Sequence, residues 1–307
     1  MRLLSTLVGL ALAVGVQPTP IRIRVAARAI QPGEIVVLAV TGIEPAAAAH
    51  VRAFDRDWPG YRDDDGTWRA IIGIDLDVAA GDYAVAVRVD SASGTARATH
   101  TLAVTAKPFR TRTLTVDDAF VNPPEGVQAR IEREAAELNR IWTQSNATRL
   151  WTGPFARPVP HEANSAFGTR SVFNGQPRSP HGGADFPSPA GTPVVSPNAG
   201  RVALAGDLYY TGGSVIVDHG LGLFSFFAHL SSVDVKTGDA AERGTVLGKV
   251  GATGRVTGAH LHWTLRANGV RVDPLSLIAV LGESGNREPR TAHREPRTAN
   301  REPKGVS

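Results

Sequence analysis

His181-Gly182-Gly183-Ala184-Asp185 and, further along the chain, His260-Leu261-His262 bring together residue types that bind metal ions. Two imidazoles and one carboxylate, from His181, Asp185 and His262, fill three positions around a tetrahedral zinc ion and leave the fourth open, the arrangement of a catalytic rather than a structural ion. The same donor set also makes the facial triad of non-haem iron oxygenases. Alternate residues of a strand share a face, so His260 and His262 look the same way while Leu261 packs behind. One ring can then hold the ion while its neighbour faces the water beside it. Four residues of extended chain would separate His181 from Asp185 by roughly 13 Å, so joint chelation needs a bend, which Gly182-Gly183 permits. The two glycines and Pro187 argue against a helix there. No H-E-x-x-H occurs in the sequence, so no neighbouring glutamate is at hand as general base, and histidine must move the proton.

The surrounding residues carry a resemblance. Ser165-Ala166-Phe167-Gly168-Thr169-Arg170, the His181 to Asp185 segment, Val217-Asp218-His219-Gly220, Ala228-His229-Leu230 and the stretch from Thr253 to Trp263 occur in one order between Leu150 and Leu277. In this the chain resembles the lysostaphin/LytM-type zinc metallopeptidases. The resemblance implies a small antiparallel β-sheet peptidase domain that cuts peptide cross-links of bacterial peptidoglycan. It also implies zinc held by His181, Asp185 and His262, with His229 and His260 as the catalytic histidines beside the activated water. Those two extra histidines suit hydrolysis better than oxygen chemistry. Ala259 stands where relatives often have proline, a departure that touches local rigidity and not the ligands. Arg170 is a candidate to hold substrate or brace the metal loop, and Tyr209 and Tyr210 are candidates for lining the groove or packing on the sheet. His219 reads as a packing residue in a turn after its strand. Two other functions compete: a non-enzymatic wall-binding or hydrolase-activating module of the same fold, and a secreted protease acting on ordinary proteins.

Stepping outward to the elements that must carry these residues, the pattern is mainly β. Ile21 to Val25 and Tyr83 to Val89 alternate in polarity, and Ile35 to Val40 is a continuous apolar run. With turn residues between them, residues 18–106 are expected to form a β-sandwich, plausible as an immunoglobulin-like one. Asp63-Asp64-Asp65-Gly66 lacks the alternating ligands of a calcium loop and reads as a hairpin turn. Residues 107–149 form a connector whose apolar stripe of Val127, Ile131, Leu138, Ile141 and Trp142 predicts a helix docked on one or both flanking domains. Short strands return over 150–282, at Arg201 to Ala205, Ser214 to Val217 and Leu223 to Phe227. His229, directly after the last of these, is expected at a sheet end.

A chain of 307 residues with 42% hydrophobic content has room for two ordinary domains. Its net charge of +4 resides mostly in the last 22 residues, where six Arg or Lys face three Glu. The rest of the chain carries only +1 and no basic stripe on the motifs, which argues against a nucleic-acid binder. That last segment, within residues 283–307, repeats Arg-Glu-Pro-Arg-Thr-Ala every seven residues, lacks apolar side chains for a core, and reads as a disordered tail. Residues 1–17 open on one positive charge followed by an apolar run too short to span a bilayer. They read as a signal peptide, hence an exported chain of the periplasm or cell envelope, with an extracellular location as the alternative, and with no membrane span once mature. With zero cysteines there is neither a disulfide nor a thiolate metal site to stabilise it.

Overall fold

A computed structural model describes residues 21–42, 48–92, 94–115, 122–124, 126–164 and 167–283. The expected signal peptide, and the tail from residue 284 on, lie outside the described residues, as do Ser165 and Ala166 of the first motif. None of the described helices is long and apolar enough to cross a membrane.

The N-terminal part holds eight strands, β1 (Arg22–Ala27), β2 (Ile35–Thr41), β3 (Ala48–Ala53), β4 (Arg56–Trp58), β5 (Gly60–Arg62), β6 (Trp68–Gly73), β7 (Gly81–Ser91) and β8 (Gly94–Val104). They form two four-stranded antiparallel sheets, in the orders β1-β2-β6-β5 and β4-β3-β7-β8. Alternation decides the burial of β7, whose Val85, Val87 and Val89 are buried between exposed neighbours. In β2, Ile35 to Leu38 are all buried, the signature of a strand covered on both faces. The acidic cluster does turn the chain between β5 and β6, with Gly66 at φ +78° and Asp63 N–H donating to Thr67 O.

The connector supplies β9 (Thr111–Leu114) and α1 (Gln128–Thr143). Val127 caps the helix instead of joining its stripe. Leu138, Ile141 and Trp142 face a cluster of Leu204, Leu208, Ile216, Phe224, Phe226 and Ala228. Trp142 meets Phe224 edge-on at 5.4 Å, and the Arg266 guanidinium lies 4.7 Å from the indole. The helix therefore docks on the C-terminal sheet, where Glu134 also accepts from Tyr209 N–H.

The C-terminal part begins with a separate three-stranded sheet, a hairpin of β10 (Arg170–Phe173) and β11 (Gln176–Pro177) that β9 extends by pairing in parallel with β10. A nine-stranded antiparallel sheet follows, built of β12 (Gly183–Phe186), β13 (Pro193–Val195), β14 (Gly200–Leu208), β15 (Gly212–Gly220), β16 (Leu223–Val233), β17 (Ala240–Ala241), β18 (Val246–Val250), β19 (Leu261–Ala267) and β20 (Val270–Val272). Helix α2 (Pro274–Leu281) closes it, capped by the Asp273 carboxylate with Pro274 in its first turn. One face of the sheet buries Phe227 and Trp263, whose rings stack at 6.3 Å.

The two parts share one apolar cluster, running from Ile35 and Trp68 through Trp151 and Phe155 to Trp263 and Leu277. A polar seam joins them as well. Arg28 donates to Glu34 and to Asp273, Lys107 donates to Glu34, and Ile35 N–H donates to Ser276 Oγ. Glu34 is only 2% exposed. Burial pushes its carboxyl up, yet the hydrogen bonds from Arg28 and Lys107 prevail and hold it below the usual carboxylate range.

Candidate metal centre and active-site groove

Three adjacent strands build the centre through one cross-strand row. Asp185 on β12 pairs with His262 on β19, and His262 pairs with Ala228 on β16. Opposed residues in antiparallel strands point to the same face, so Asp185 and His262 meet on the face that also carries α1. His181 sits just before β12, tied down by His181 N–H to Thr169 O and Gly168 N–H to His181 O. The expected bend between His181 and Asp185 exists, but its reason differs from the one read in the sequence. Neither Gly182 nor Gly183 has positive φ. Gly183 is required for space, since a Cβ there would lie 2.3 Å from Trp263 O and 2.9 Å from the His262 ring.

His181 Nε2, Asp185 Oδ1 and His262 Nδ1 form a triangle with edges of 3.0, 3.1 and 2.8 Å. Metal–ligand distances of about 2.0–2.1 Å place donors about 3.4 Å apart around a tetrahedral ion and about 2.9 Å apart around an octahedral one. The residues present thus fit a first-row metal ion, and among the described residues they are the one group of three His or acid donors close enough to hold one. Burial acts to raise the Asp185 carboxyl, but the close contacts with the His181 and His262 rings outweigh it and hold Asp185 far below the usual carboxylate range. Burial lowers the His262 pKa, against the opposing pull of Asp185, so the ring stays neutral with a lone pair for a metal. Its other nitrogen, Nε2, lies 2.9 Å from Thr264 Oγ1. The hydroxyl oxygen can accept that N–H and so directs the Nδ1 lone pair at the centre.

His229 does not lie at a sheet end. It is inside β16, in a register break opposite Gly213 to Val215, at φ +66°. The break falls where β16 leaves β19, its partner through Ala228, and takes up β18, its partner from Leu230. A regular strand would turn residue 229 to the face opposite Ala228 and His262; the bulge with its left-handed residue aims the ring towards them instead. The His229 ring stands 5.0 Å from that of His260 and 6.0 Å from that of His262. Thr253 clamps the arrangement. Its carbonyl accepts from His229 Nδ1–H, while its hydroxyl donates to Leu230 O and accepts from Gly213 N–H. Burial depresses the His229 pKa to about 4, with the Thr253 carbonyl opposing. His260 Nδ1–H donates to Gly258 O, and His260 Nε2 stands 3.8 Å from Asp185 Oδ1. Both rings are thus anchored on backbone carbonyls through Nδ1, which leaves each Nε2 as the acceptor.

These five residues line one open cavity of about 600 Å³, together with Arg112, Arg178, Tyr210, Arg255 and others. Tyr210 is in its wall and carries the Arg255 guanidinium 4.5 Å from its ring. Tyr209 packs edge-on against Tyr210 at 5.0 Å and is not among the lining residues. Arg170 is exposed and also absent from the lining, because β10 alternates and presents Ser171 and Phe173 to the cavity. Sequence reading missed Thr264 and the three arginines. Thr264, two residues beyond His262 on the same strand face, carried a signal in that spacing; Arg112 carried none. His219 is fully buried within β15 rather than in a turn, donating from Nδ1 to Ala199 O and accepting at Nε2 from Ser225 Oγ. Burial lowers its pKa to about 4, and its role is structural, apart from the centre.

Comparisons with known proteins agree with this geometry. Residues 179–274 match the model of peptidase family M23. The peptidoglycan DD-endopeptidase ShyA of Vibrio cholerae is 40% identical over 97 residues, 32% of this chain and 23% of that protein. The DD-carboxypeptidase/endopeptidase Mpg of Neisseria meningitidis is 39% identical over 97 residues, 32% of this chain and 22% of that protein. The chain thus spans less than a quarter of the length of these curated relatives. The crystal structure of a putative peptidase M23 from Pseudomonas aeruginosa is similar over 82% of this chain and 96% of that one, at 34% identity and a TM-score of 0.64. Since that likeness extends through the N-terminal sheets as well as the segment that builds the centre, the chain belongs to peptidase family M23.

Proposed function

We propose that the chain is an exported zinc-dependent endopeptidase that hydrolyses peptide cross-links of peptidoglycan. The observation that carries this reading is the triangle of His181, Asp185 and His262, open to a groove into which two further imidazoles present Nε2. Two neutral nitrogens and one carboxylate oxygen with an open position suit zinc. A zinc ion held there supplies Lewis-acid polarisation of the scissile carbonyl and makes a water more acidic. The chain's own groups do the rest. His181 and His262 would hold the ion as nitrogen donors beside an ionised Asp185. His229, neutral above about pH 4, and His260 each offer an Nε2 lone pair to the attacking water. A ring that has taken its proton becomes a donor to the carbonyl oxygen or to the departing amine. The fixed Nδ1 anchors on Thr253 and Gly258 keep both rings in the tautomer that can do this.

The relatives named for peptidoglycan endopeptidase activity support the choice of substrate. We further propose the N-terminal sheets as an immunoglobulin-like module that holds the connector strand β9 against the groove wall. Ligand and proton-handling groups should fail differently. Alanine at His181, Asp185 or His262 is expected to abolish zinc retention and cleavage together. Alanine at His229 or His260 should retain zinc and lower turnover by roughly 10²-fold or more. Folded His229→Ala and His260→Ala proteins that both cleave at the parent rate would overturn the assignment.

A further inference from the structure

His229 keeps its left-handed place through two neighbouring loops. Its backbone N–H donates to Thr211 O at 2.8 Å, and its ring is anchored on Thr253 O. Thr211 ends the 209–211 turn between β14 and β15, and Thr253 lies in the loop between β18 and β19. The two loops meet backbone to backbone. A Cβ on Gly212, at φ +59°, would lie 2.2 Å from Thr253 Oγ1, and one on Gly254, at φ +73°, would lie 2.5 Å from Gly212 N. Arg255 N–H donates to Tyr210 O across the same contact. A shift of the turn is therefore passed on to both groups that orient His229.

From the other side the turn is held by helix α1. Tyr209 N–H donates to Glu134 Oε2 at 2.8 Å, where the Glu134 side chain is only 16% exposed. Arg130, one helical turn earlier, donates from Nε to Glu134 Oε1 at 2.6 Å and from Nη2 to Asp207 O and Oδ2 at 3.1 and 2.9 Å. These bonds fall on the first half of α1, apart from Leu138, Ile141 and Trp142, which dock its second half on the apolar cluster. Docking alone does not account for them.

We propose that Glu134 is a positioning residue for catalysis: through Tyr209 it braces the 209–211 turn, so that His229 keeps the orientation in which its Nε2 faces the groove. The inference rests on the reading of the groove as a peptide-hydrolysing site. Tyr210, Thr211 and His229 line that cavity and Glu134 does not, so it acts only through the turn. Helix α1 also lies outside residues 179–274, the segment that matches the family model. The connector thus completes the proton-handling geometry.

The test uses the zinc-loaded full chain, a purified cross-linked muropeptide dimer as substrate, and amide hydrogen exchange at Tyr209 and His229 resolved by NMR. Glu134→Ala removes the acceptor, whereas Glu134→Gln keeps one side-chain oxygen for the Tyr209 N–H. The alanine variant is expected to lower kcat about tenfold, with KM within about twofold and zinc content unchanged, because a small misplacement of a reacting group is costly. Exchange at both amides should quicken by about tenfold. The glutamine variant should stay within about threefold of the parent on each count. Val85→Ala, in the buried face of β7, weakens the fold far from the turn and should leave kcat unchanged. If Glu134→Ala does not fold, Arg130→Ala, which frees Asp207 and unsteadies Glu134, should show the same pattern at about threefold. An alanine variant parental in kcat, or in exchange at His229, overturns the proposal. So does a loss of kcat matched by Glu134→Gln or by Val85→Ala. If the parent cleaves nothing, hydrolysis is what fails; exchange at the His229 N–H then decides, faster in Glu134→Ala but not in Glu134→Gln supporting the brace, and unchanged in both refuting it.

Discussion

Replacing Thr264 by valine removes one hydroxyl and almost no volume, which makes it a sharp probe of how the centre is aimed. Thr264 is 8% exposed, and its Oγ1 is 2.9 Å from His262 Nε2. A metal at His262 Nδ1 requires the tautomer with hydrogen on Nε2, and Thr264 is the acceptor that favours it. Without that acceptor the Nε2–H is left unpaired, at about 1–3 kcal/mol. The competing tautomer, with hydrogen on Nδ1, is offered Asp185 Oδ1 at 2.8 Å and cannot ligate. At 1.4 kcal/mol per decade this predicts a loss of about 10–100-fold in zinc affinity, the range usual for such outer partners. Competition titration against a chromophoric chelator reads the affinity without reference to activity. Thr264→Ser, which restores the hydroxyl, should recover most of the loss. A Thr264→Val protein within threefold of the parent, or a serine variant as weak as the valine one, would refute the reasoning.

Two further outcomes follow from buried charge. Glu34→Gln should lower the unfolding free energy in urea by about 3 kcal/mol, because Arg28, which also reaches across the seam to Asp273, and Lys107 lose the buried carboxylate that both hydrogen-bond; a loss below about 1 kcal/mol would show this carboxylate to be dispensable. His219 is neutral in the folded chain down to about pH 4, whereas an unfolded histidine takes up a proton near pH 6.5. Between those values the unfolded state binds more protons, so stability rises with pH and is lost, by about 3 kcal/mol in total from this residue, as the pH is lowered from about 6.5 to about 4; a His219→Gln protein should lack that part of the slope, and parallel slopes would contradict the assignment.

Much of the centre was legible because its information is local. His262 lies in β19 and His260 two residues before it, in an isolated bridge to Gly251 just ahead of the strand, and the bend before Asp185 is short, so residue type and period together placed them. The connector helix was equally plain, since its apolar stripe recurs at helical spacing, although the surface it covers was not. His229 was recognised by its motif but misplaced. Its orientation depends on β16 exchanging β19 for β18 as partner, and strand pairing has no signature in the strand's own residues. The arginine-lined wall was invisible for the same reason, as three segments distant in sequence converge only in the fold. The continuous core between the two parts was hidden too. Ile35 to Leu38 read as a buried run, but what covers their second face, α2 with the Ser276 hydroxyl on Ile35 N–H, lies at the far end of the described chain.

The most direct measurement incubates the zinc-loaded chain with purified sacculi and identifies the released fragments by mass spectrometry. Uncross-linked muropeptides bearing one new amino group per cleaved bridge should appear, cease when a chelator removes the metal, return when zinc is added back, and be absent with His262→Ala. No release from intact sacculi by folded, zinc-loaded protein, or release that persists after the metal is removed, would contradict a metal-dependent endopeptidase built on His181, Asp185 and His262.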